Sequence, residues 1–510
     1  MLLPCLALLT ISLSLFLQGC GGSSSSSPTP TPTPTPTPSL TTDEKALVGV
    51  WHAPAYGKII ELVDDNNSLS TIWHYVTSDQ CLSSNFEERP PITPENIQLS
   101  SGEDTFELLN SVPPIVSGVI YSRIDSLPDA CINESLVTKG EVGYQFNAET
   151  DLLFFWNSFN ELYHSFELSG TDWVMELVDA EARLPDINSE KALFDLFSDM
   201  VTPLQDIHSP ILLAPLDQGL SAVIDSDDSE LFFAKRKTHI TDIFSEEYIA
   251  NNNLQEPLST LDLAALNDYV EISMAELQSI TDSYADDPNS IISAGNRKVR
   301  WFRTADNIGY ISISSMSELN ASDGSRNAEI VAAETIIDEA LASLADSQGL
   351  VIDLRLNDGG LDAVSMIFAS RFLDVERHLY SKQARLGNGR TPLLDILISP
   401  GGETQYLKPI VVLTSSSTVS AGEVFALAIR NRPQTSLVGE ASDGSFGDIL
   451  IRRVTANIAF GLSNEFYLSP AGEWFEGVGI PVDIEVPFAT REQRDELRDA
   501  GLEQALLTLQ

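Results

Sequence analysis

Basic residues are scarce in this chain, and their scarcity limits the partners that it can have. The 510 residues include 29 Lys and Arg against 74 Asp and Glu, which gives a formal net charge of -45. Such a charge repels nucleic acid and anionic lipid headgroups, so we exclude a nucleic-acid partner. The hydrophobic fraction of 43% is that of an ordinary folded chain. At roughly 150 residues per domain, the length suggests about three domains.

Histidine and cysteine are also scarce, and the few present lack the spacing of metal sites. The chain has 6 His and 4 Cys, with no C-x-x-C pair and no H-E-x-x-H motif. These absences disfavour a structural zinc site and a zinc protease, and we expect neither a metal nor a cofactor. The Gly-x-Ser-x-Gly elbow of α/β-hydrolases is absent as well. Most of the histidines are scattered along the chain: His52, His74, His164, His239 and His378.

The amino terminus carries the pattern of an export signal. Residues 2–17, LLPCLALLTISLSLFL, form an apolar run that is too short for a comfortable membrane span. The following Leu17-Gln18-Gly19-Cys20 resembles a bacterial lipobox, in which the cysteine is acylated and becomes the first mature residue. We predict a signal peptide over 1–19, lipidation at Cys20, and a Ser/Thr-Pro linker over 20–42 that acts as a spacer. The alternative is an ordinary secretory signal with an incidental cysteine.

These features together predict where in the cell the protein is located. A lipidated cysteine followed by a stalk holds a globular body at a membrane, outside the cytoplasm. We therefore expect a protein of the bacterial cell envelope, anchored to the membrane through Cys20. The outer membrane, facing the periplasm or the exterior, is the favoured position.

The region that follows the linker has the composition of a β domain. Over residues 43–182, the runs KIIELV, STIWHYV, SGVIYSRI, DLLFFW and WVMELV are separated by Asn, Gly, Pro and Asp clusters, which predicts an all-β fold. Cys81 and Cys131 remain once Cys5 is removed with the signal and Cys20 is acylated. In an oxidising compartment they predict one disulfide, the alternative being two buried free thiols.

The rest of the chain changes from mixed to alternating patterns. Residues 183–305 form a helical and mixed region, in which one helix over 189–205 delivers His208 to a loop and another spans 261–284. Over 306–510, strands alternate with helices and a helix closes the chain, which predicts an α/β domain. The predicted fold class is therefore multidomain, with an N-terminal all-β domain, a helical connecting region and a C-terminal α/β core.

A serine at a helix start gives the first chemical signal. The segment PIVVLTSSSTVSAGEVFALAIR runs an apolar strand into a Ser/Thr loop, and a helix begins after Ser420. Ser420-Ala421-Gly422-Glu423 is a capping box, which by itself needs only hydrogen bonds to the first amides of the helix. The same geometry suits a nucleophile, because free N–H groups at a helix start stabilise an anion that forms beside the hydroxyl. The spacing alone leaves both interpretations open.

A glycine pair extends this pattern to a family resemblance. In GLVIDLRLNDGG a strand runs into Gly359 and Gly360, where the backbone either approaches a ligand or simply turns. This motif is followed in order by KPIVVLTSSSTVSAGE, LVGEASDGSFG and EGVGIPVDIEV, within residues 306–505. The series resembles the serine peptidase family of carboxy-terminal processing (tail-specific) proteases and the tricorn protease core. The resemblance implies hydrolysis of a peptide or protein substrate on a crotonase-like ββα core, with Ser420 as the nucleophile.

The chain departs from the processing proteases at the catalytic base. Their lysine lies in an F-G-K-G segment after V-G-E, and residues 438–447 contain no lysine. The tricorn-like branch uses a histidine supported by a glutamate, and the matching residues here are His208 and Glu476. In such a set the imidazole takes the serine proton and the carboxylate stabilises the imidazolium. The resemblance further implies an oxyanion hole made by the amides of Ala421 and of Gly359 or Gly360.

Each of these assignments has a plainer alternative. His208 could equally be a helix-end histidine that interacts with the helix dipole, and Glu476 could be one carboxylate among many in an acidic chain. Asp206 either supports His208 or is a loop residue hydrogen-bonded to backbone. The whole chain is also compatible with a non-catalytic ligand- or partner-binding lipoprotein, because the retinoid-binding proteins of the eye resemble this family. A third interpretation is an envelope scaffold whose β domain binds a partner. Residues 211–300 show no carboxylate-binding loop of the PDZ domain that processing proteases usually carry.

Overall fold

The computed structural model describes residues 39–510 except 85–91, 101, 103, 110–115, 134, 138–143, 215–228, 256–257, 321–324, 404 and 456. Leu40–Gln510 form one compact unit. The predicted signal peptide, the lipidation site Cys20 and the linker up to residue 38 lie outside the described residues. A search of the described helices finds none whose length and apolar character suit a membrane crossing.

An eight-stranded sheet fills most of the region predicted to be β-rich. Its neighbouring strands are antiparallel, except for the last pair, which is parallel. Trp51, Phe106 and Tyr121 are buried in its core, and a disulfide joins Cys81 to Cys131. In spatial order the strands are Ile97–Leu99, Thr105–Leu109, Val116–Ile124, Gly49–Ala53, Lys58–Asp65, Ser68–Val76, Cys81–Ser84 and Ser135–Leu136.

The all-β prediction is wrong in the last part of its range, which is helical. DLLFFW lies in the helix Ala148–Leu162, and WVMELV lies in the helix Trp173–Arg183. Short apolar runs fit a buried strand or a buried helix, and length decides between them. Leu152, Phe155 and Phe159 recur at helical spacing and are fully buried, so this run forms one face of a helix.

The connecting region shares a sheet with the carboxy-terminal part of the chain. Ile211–Leu213 pairs with Glu230–Phe232 on one side and with Ile458–Phe460 on the other, and Arg452–Arg453 completes the sheet. The predicted segments therefore do not pack independently. The two predicted helices are confirmed as Glu190–Val201 and Thr260–Asp282, and the α-helix Ile240–Asn252 lies between them; the short helix Phe166–Ser169 precedes this region.

The α/β alternation predicted from residue 306 is confirmed as a seven-stranded central sheet. From Gly309–Ile313 onward its strands are parallel, so their carboxyl ends lie at one edge. In spatial order the strands are Ile292–Ala294, Val299–Arg303, Gly309–Ile313, Leu350–Asp353, Ile410–Thr414, Thr435–Gly439 and Ile484–Glu485. Loops at the shared edge carry the candidate chemistry, as is usual for parallel sheets.

Helices cover both faces of the central sheet. Arg326–Ser343, Asp362–Ser370 and Ala421–Ile429 pack on one face in the largest hydrophobic core. The predicted closing helix is two helices, Arg491–Asp495 and Ala500–Thr508, and Leu502 of the second packs on the opposite face. The remaining strands form a further sheet beside this core: Gly389–Arg390, Arg377–Leu386, Leu394–Ile398 and Glu465–Leu468.

Candidate active site

Ser420 stands where a central strand becomes a helix, in a backbone conformation that L residues rarely adopt. The loop after Ile410–Thr414 leads to Ser420, whose φ of 55° and ψ of -123° precede the fully buried helix Ala421–Ile429. A non-glycine residue with positive φ is strained, and such strain persists only where the surroundings enforce it. The N–H of Ser420 donates to the carbonyl of Ser445 and to Oε2 of Glu423, both at 3.1 Å.

Glu423 organises the backbone on the other side of Ser420. Its carboxylate also accepts the N–H groups of Gly444 at 2.7 Å and of Ser445 at 2.8 Å. Burial, followed by the charge of Asp443, raises the pKa of Glu423 to about 8. The glutamate predicted as part of a capping box therefore also fixes the 444–445 backbone against the nucleophile.

The glycine pair approaches Ser420 as closely as a backbone can. Gly359 and Gly360 have φ of 93° and 129°, and a Cβ at Gly359 would lie 2.6 Å from the Cβ of Ser420. A side chain at this position would therefore displace the serine. The N–H of Gly359 donates to Oδ1 of Asn357 at 3.0 Å, so this amide already has an acceptor.

His208 lies in a buried turn after the helix Glu190–Val201. Its backbone N–H donates to Oδ1 of Asp206 at 2.8 Å, and Ser209 donates to the other carboxylate oxygen at 3.3 Å. Asp206 thus supports the turn, which was one of its two predicted roles. The His208 side chain is buried, and among the described residues its Nδ1 atom has no hydrogen-bond partner.

Glu476 is buried beside His208 and is bound to the segment that contacts Ser420. Its Oε2 accepts the N–H of Phe446 at 3.1 Å, and Phe446 follows Ser445, whose carbonyl accepts the Ser420 N–H. Burial is the main cause that raises the pKa of Glu476 to about 8; the charge of Asp206 adds to it and that of His208 opposes it. The backbone of two consecutive residues therefore links the predicted nucleophile to the predicted acid.

The structure places a second histidine, His164, beside Glu476; from the sequence it was only one of the scattered histidines. Its Nε2 lies 3.8 Å from Oε2 of Glu476, and complete burial lowers the pKa of His164 to about 4, so the ring is neutral near pH 7. It lies just beyond the helix Ala148–Leu162, in a region predicted to be β-rich. No motif marked it, because its place near Glu476 results from packing between distant segments.

Two further residues near Ser445, His239 and Lys237, carried no sequence signal either. His239 lies with its Nε2 2.9 Å from Oδ1 of Asp443. Lys237 donates to the carbonyls of Ser442 and Val478, the latter at 3.0 Å. Burial lowers the pKa of the Lys237 amine. Through the two hydrogen bonds, this lysine contacts the loop from a segment other than the one in which the family motif has its lysine.

The part of the chain that the structure describes offers one group with the composition of a metal site. It comprises His74, Cys81 and Cys131, but the two cysteines form the disulfide. Their thiolates are therefore not available as ligands, and this group does not fit a zinc ion.

A cavity of about 370 Å³ lies beside the glycine pair. Leu277, Phe488 and Arg300 contribute to its wall, together with Asp358, which directly precedes Gly359. The cavity is lined by both apolar and charged side chains. Asp358 is its link to the glycine loop; Ser420, His208 and Glu476 are not among the residues that line it.

Together these features define a class of site on an α/β core: a strained serine at a helix start, a glycine pair against it, a buried histidine, and a buried acid joined to the same loop. The family follows from comparison. Residues 307–486 match the sequence profile of Peptidase family S41. The matched segment is the one whose motifs resemble the carboxy-terminal processing proteases, so the profile match and the motif resemblance agree.

Named relatives agree with this assignment. The chain is 27% identical over 187 residues to the carboxy-terminal-processing protease of Bartonella bacilliformis, covering 36% of this chain and 40% of the relative. It is 26% identical over 180 residues to the carboxy-terminal processing protease CtpA of Bacillus subtilis, covering 35% and 34%. The chain thus spans less than half the length of these curated relatives.

One solved structure extends the similarity beyond the matched segment. A crystal structure of a Parabacteroides merdae protein, to which a peptidase function has been ascribed, superposes with a TM-score of 0.52 at 23% identity. The match covers 72% of this chain and 97% of that one. Similarity at this level shows a shared fold.

Proposed function

We propose that this protein is a serine peptidase that hydrolyses peptide bonds of a peptide or protein substrate through an acyl-enzyme. The proposed triad is Ser420, His208 and Glu476, on a core of the crotonase-like kind. The observation that carries the proposal is the strained backbone of Ser420, held by Glu423 and Ser445 on one side and the glycine pair on the other. Strain enforced in this way is characteristic of functional positions.

The proposed steps use these side chains as follows. Ser420 Oγ attacks the scissile carbonyl carbon while His208 accepts its proton, and the carbonyl oxygen becomes an oxyanion facing the amides of Gly360 and Ala421. Collapse of this intermediate breaks the C–N bond, and His208 returns the proton to the leaving amine. A water molecule, which gives its proton to His208, then attacks the acyl carbon in the same way. The ester bond to Ser420 breaks, the carboxylic acid product leaves, and Ser420 recovers its proton.

In this proposal Glu476 stabilises the imidazolium of His208 during these steps. Within the described part of the chain the buried Nδ1 of His208 has no hydrogen-bond partner, and Nδ1 is the atom that would donate to the carboxylate. We propose that this hydrogen bond closes when substrate binds, since catalytic hydrogen bonds are often long in unliganded enzymes. Gly360 is preferred over Gly359 as the second oxyanion donor, because the Gly359 amide is occupied by Asn357.

A fluorophosphonate probe tests the nucleophile. We expect the purified mature protein to be labelled stoichiometrically and Ser420→Ala to lose all labelling. Ser381→Ala is a matched control, because Ser381 is a buried serine that contacts both His378 and Asp395 elsewhere in the fold; it should remain labelled. Labelling that persists in Ser420→Ala would refute the assignment, and stoichiometric capture of an apolar ligand without turnover would favour the binding-protein alternative.

The base is tested by comparing the two histidines near Glu476. We expect His208→Ala to lower kcat by about 10³-fold or more, as removal of a triad member does. His164→Ala should retain much more activity, because both ring nitrogens of His164 are engaged, Nε2 by Glu476 and Nδ1 by the hydroxyl of Ser165. A larger loss of kcat in His164→Ala than in His208→Ala would contradict His208 as the base and assign that role to His164.

We also propose that the protein is exported and anchored to the bacterial envelope through a lipid on Cys20. The support is the apolar run, the lipobox-like Leu17-Gln18-Gly19-Cys20 and the Thr-Pro stalk. Metabolic labelling with a fatty acid should mark the wild type, and Cys20→Ser should remove the label and release the protein from the membrane fraction. Retention of the label in Cys20→Ser would contradict the anchor.

A further inference from the structure

The segment 237–240, at the start of the helix Ile240–Asn252, crosses the loops that hold the proposed site. Ser416 of the nucleophile loop donates to the carbonyl of Thr238 at 2.8 Å, and the N–H of Ile240 donates to Oγ of Ser417 at 3.0 Å. Lys237 bridges the carbonyls of Ser442 and Val478. This segment therefore contacts the loops before Ser420, before Ser445 and after Glu476.

A continuous set of hydrogen bonds runs from His239 of this segment to the nucleophile. The Nε2 of His239 and Oδ1 of Asp443 are 2.9 Å apart, and the other Asp443 oxygen accepts Oγ of Ser445 at 2.6 Å. The carbonyl of Ser445 accepts the N–H of Ser420 at 3.1 Å. His239, Asp443 and Ser445 are all buried, and buried polar groups of this kind depend on their partners.

The three residues also explain how the strained backbone of Ser420 is maintained. Glu423 and the Ser445 carbonyl both hold the Ser420 amide, and Asp443 fixes the side chain of Ser445. Asp443 in turn needs a donor, because a buried carboxylate with an unpaired oxygen is costly. His239 supplies that donor from a helix start that is remote in sequence.

We propose that His239 and Asp443 form a positioning pair that acts through Ser445 to set the orientation of Ser420. The pair does not touch the reacting atoms. It affects the chemical step while leaving substrate binding largely unchanged, and it connects the helix Ile240–Asn252 to the site. The catalytic part of this inference depends on the proposed peptidase function, whereas the structural part does not.

The catalytic test compares His239→Ala with His239→Gln. We expect His239→Ala to lower kcat at least tenfold with KM within about twofold of wild type, because a misoriented Ser420 weakens the transition state while the contacts that bind substrate remain. Gln can donate to Asp443, so His239→Gln should recover most of kcat. Asp443→Ala should resemble His239→Ala, and the double variant should be no worse than either single one, since the residues act as a unit.

His378→Ala is the matched control, because His378 also contacts a serine hydroxyl, Ser381, in a different sheet. It should leave kcat and KM unchanged. A general loss of folding would lower the labelled fraction and the thermal midpoint of both alanine variants. A pure positioning effect keeps the midpoint and slows the rate of fluorophosphonate labelling.

Hydrogen exchange provides a readout that does not need peptidase activity. In His239→Ala, backbone amides over 415–424 and 442–447 should exchange at least tenfold faster than in wild type, and His378→Ala should leave them unchanged. Unaltered exchange, or a rise in KM with kcat unchanged, would overturn the pairing role. If the wild type neither cleaves peptides nor labels, the peptidase proposal fails and the exchange result alone decides whether the pair positions Ser420.

Discussion

At the scale of single residues, Ser420 combines a strained backbone with the central chemical role in the proposal. Its positive φ is enforced by bonds to Ser445 and Glu423 rather than by its own preference. The capping-box interpretation and the nucleophile interpretation are thus compatible. The Glu423 carboxylate accepts the serine N–H, which serves the helix cap and holds the proposed nucleophile at the same time.

This strain predicts that removing the side chain entirely stabilises the protein. Glycine adopts φ near +55° without penalty, so Ser420→Gly should raise the free energy of unfolding by about 1 kcal/mol relative to Ser420→Ala. Chemical denaturation of the two variants measures the difference. Ser420→Ala is the matched control, because it also lacks the hydroxyl but keeps a Cβ; equal stabilities would show that the backbone is not strained.

Glu476 predicts the direction of the pH dependence. Its pKa is raised to about 8, and only the ionised carboxylate stabilises the imidazolium of His208. The value of kcat/KM should therefore rise with pH through about 8. Glu476→Gln should lower the rate and abolish this rise. A rate that is already constant from pH 6 upward in the wild type would contradict the role of Glu476.

At the scale of elements, the sequence identified strands and helices best where their period was long and unbroken. The helix predicted over 261–284 is Thr260–Asp282, and the predicted strands before the glycine pair and before the Ser/Thr loop are Leu350–Asp353 and Ile410–Thr414. The errors fell on DLLFFW and WVMELV, six-residue apolar runs that have no strand partner and pack as helices. Tertiary burial decided the first case, in which Leu152 and Phe155 are fully buried. In the second run only Trp173 is buried, and Val174, Met175 and Val178 are exposed on the helix.

The disulfide gives a prediction for the amino-terminal sheet. Cys81 and Cys131 are 50 residues apart, and a loop of that length corresponds to about 4 kcal/mol of unfolded-chain entropy. Replacing both cysteines by alanine should lower the unfolding free energy of this sheet by up to that amount. Urea unfolding with and without reductant measures it. Reductant should lower the unfolding free energy of the wild type and leave that of the double variant unchanged. A decrease in both would show that the disulfide is not its cause.

At the scale of the whole molecule, the chain buries several carboxyl groups with raised pKa values. Burial raises the pKa of Glu423 and Glu476 to about 8, and that of Asp151 and Asp362 to about 7. In the unfolded chain these groups ionise near pH 4. Between pH 6.5 and 8 the native state therefore holds protons that the unfolded state has already lost.

It follows that stability falls as the pH rises through this window. Each extra proton on the native state contributes about 1.4 kcal/mol per pH unit, so we expect a total loss of roughly 1–4 kcal/mol from pH 6.5 to 8. Denaturant unfolding at a series of pH values measures the slope. Glu476→Gln should flatten it and the exposed neighbour Glu473→Gln should not. A stability that rises over this range would contradict the burial of these groups as neutral acids.

The sequence by itself determined the chemistry that is available and the order of the elements that carry it. A serine before a helix, a glycine pair after a strand and the absence of a lysine after V-G-E are local facts, because turns, caps and periodicity are set by neighbouring residues. Only the tertiary structure decided which partners surround Ser420. His164, His239 and Asp443 approach the site from segments far apart in the chain, and contacts of that kind depend on packing that no local pattern encodes.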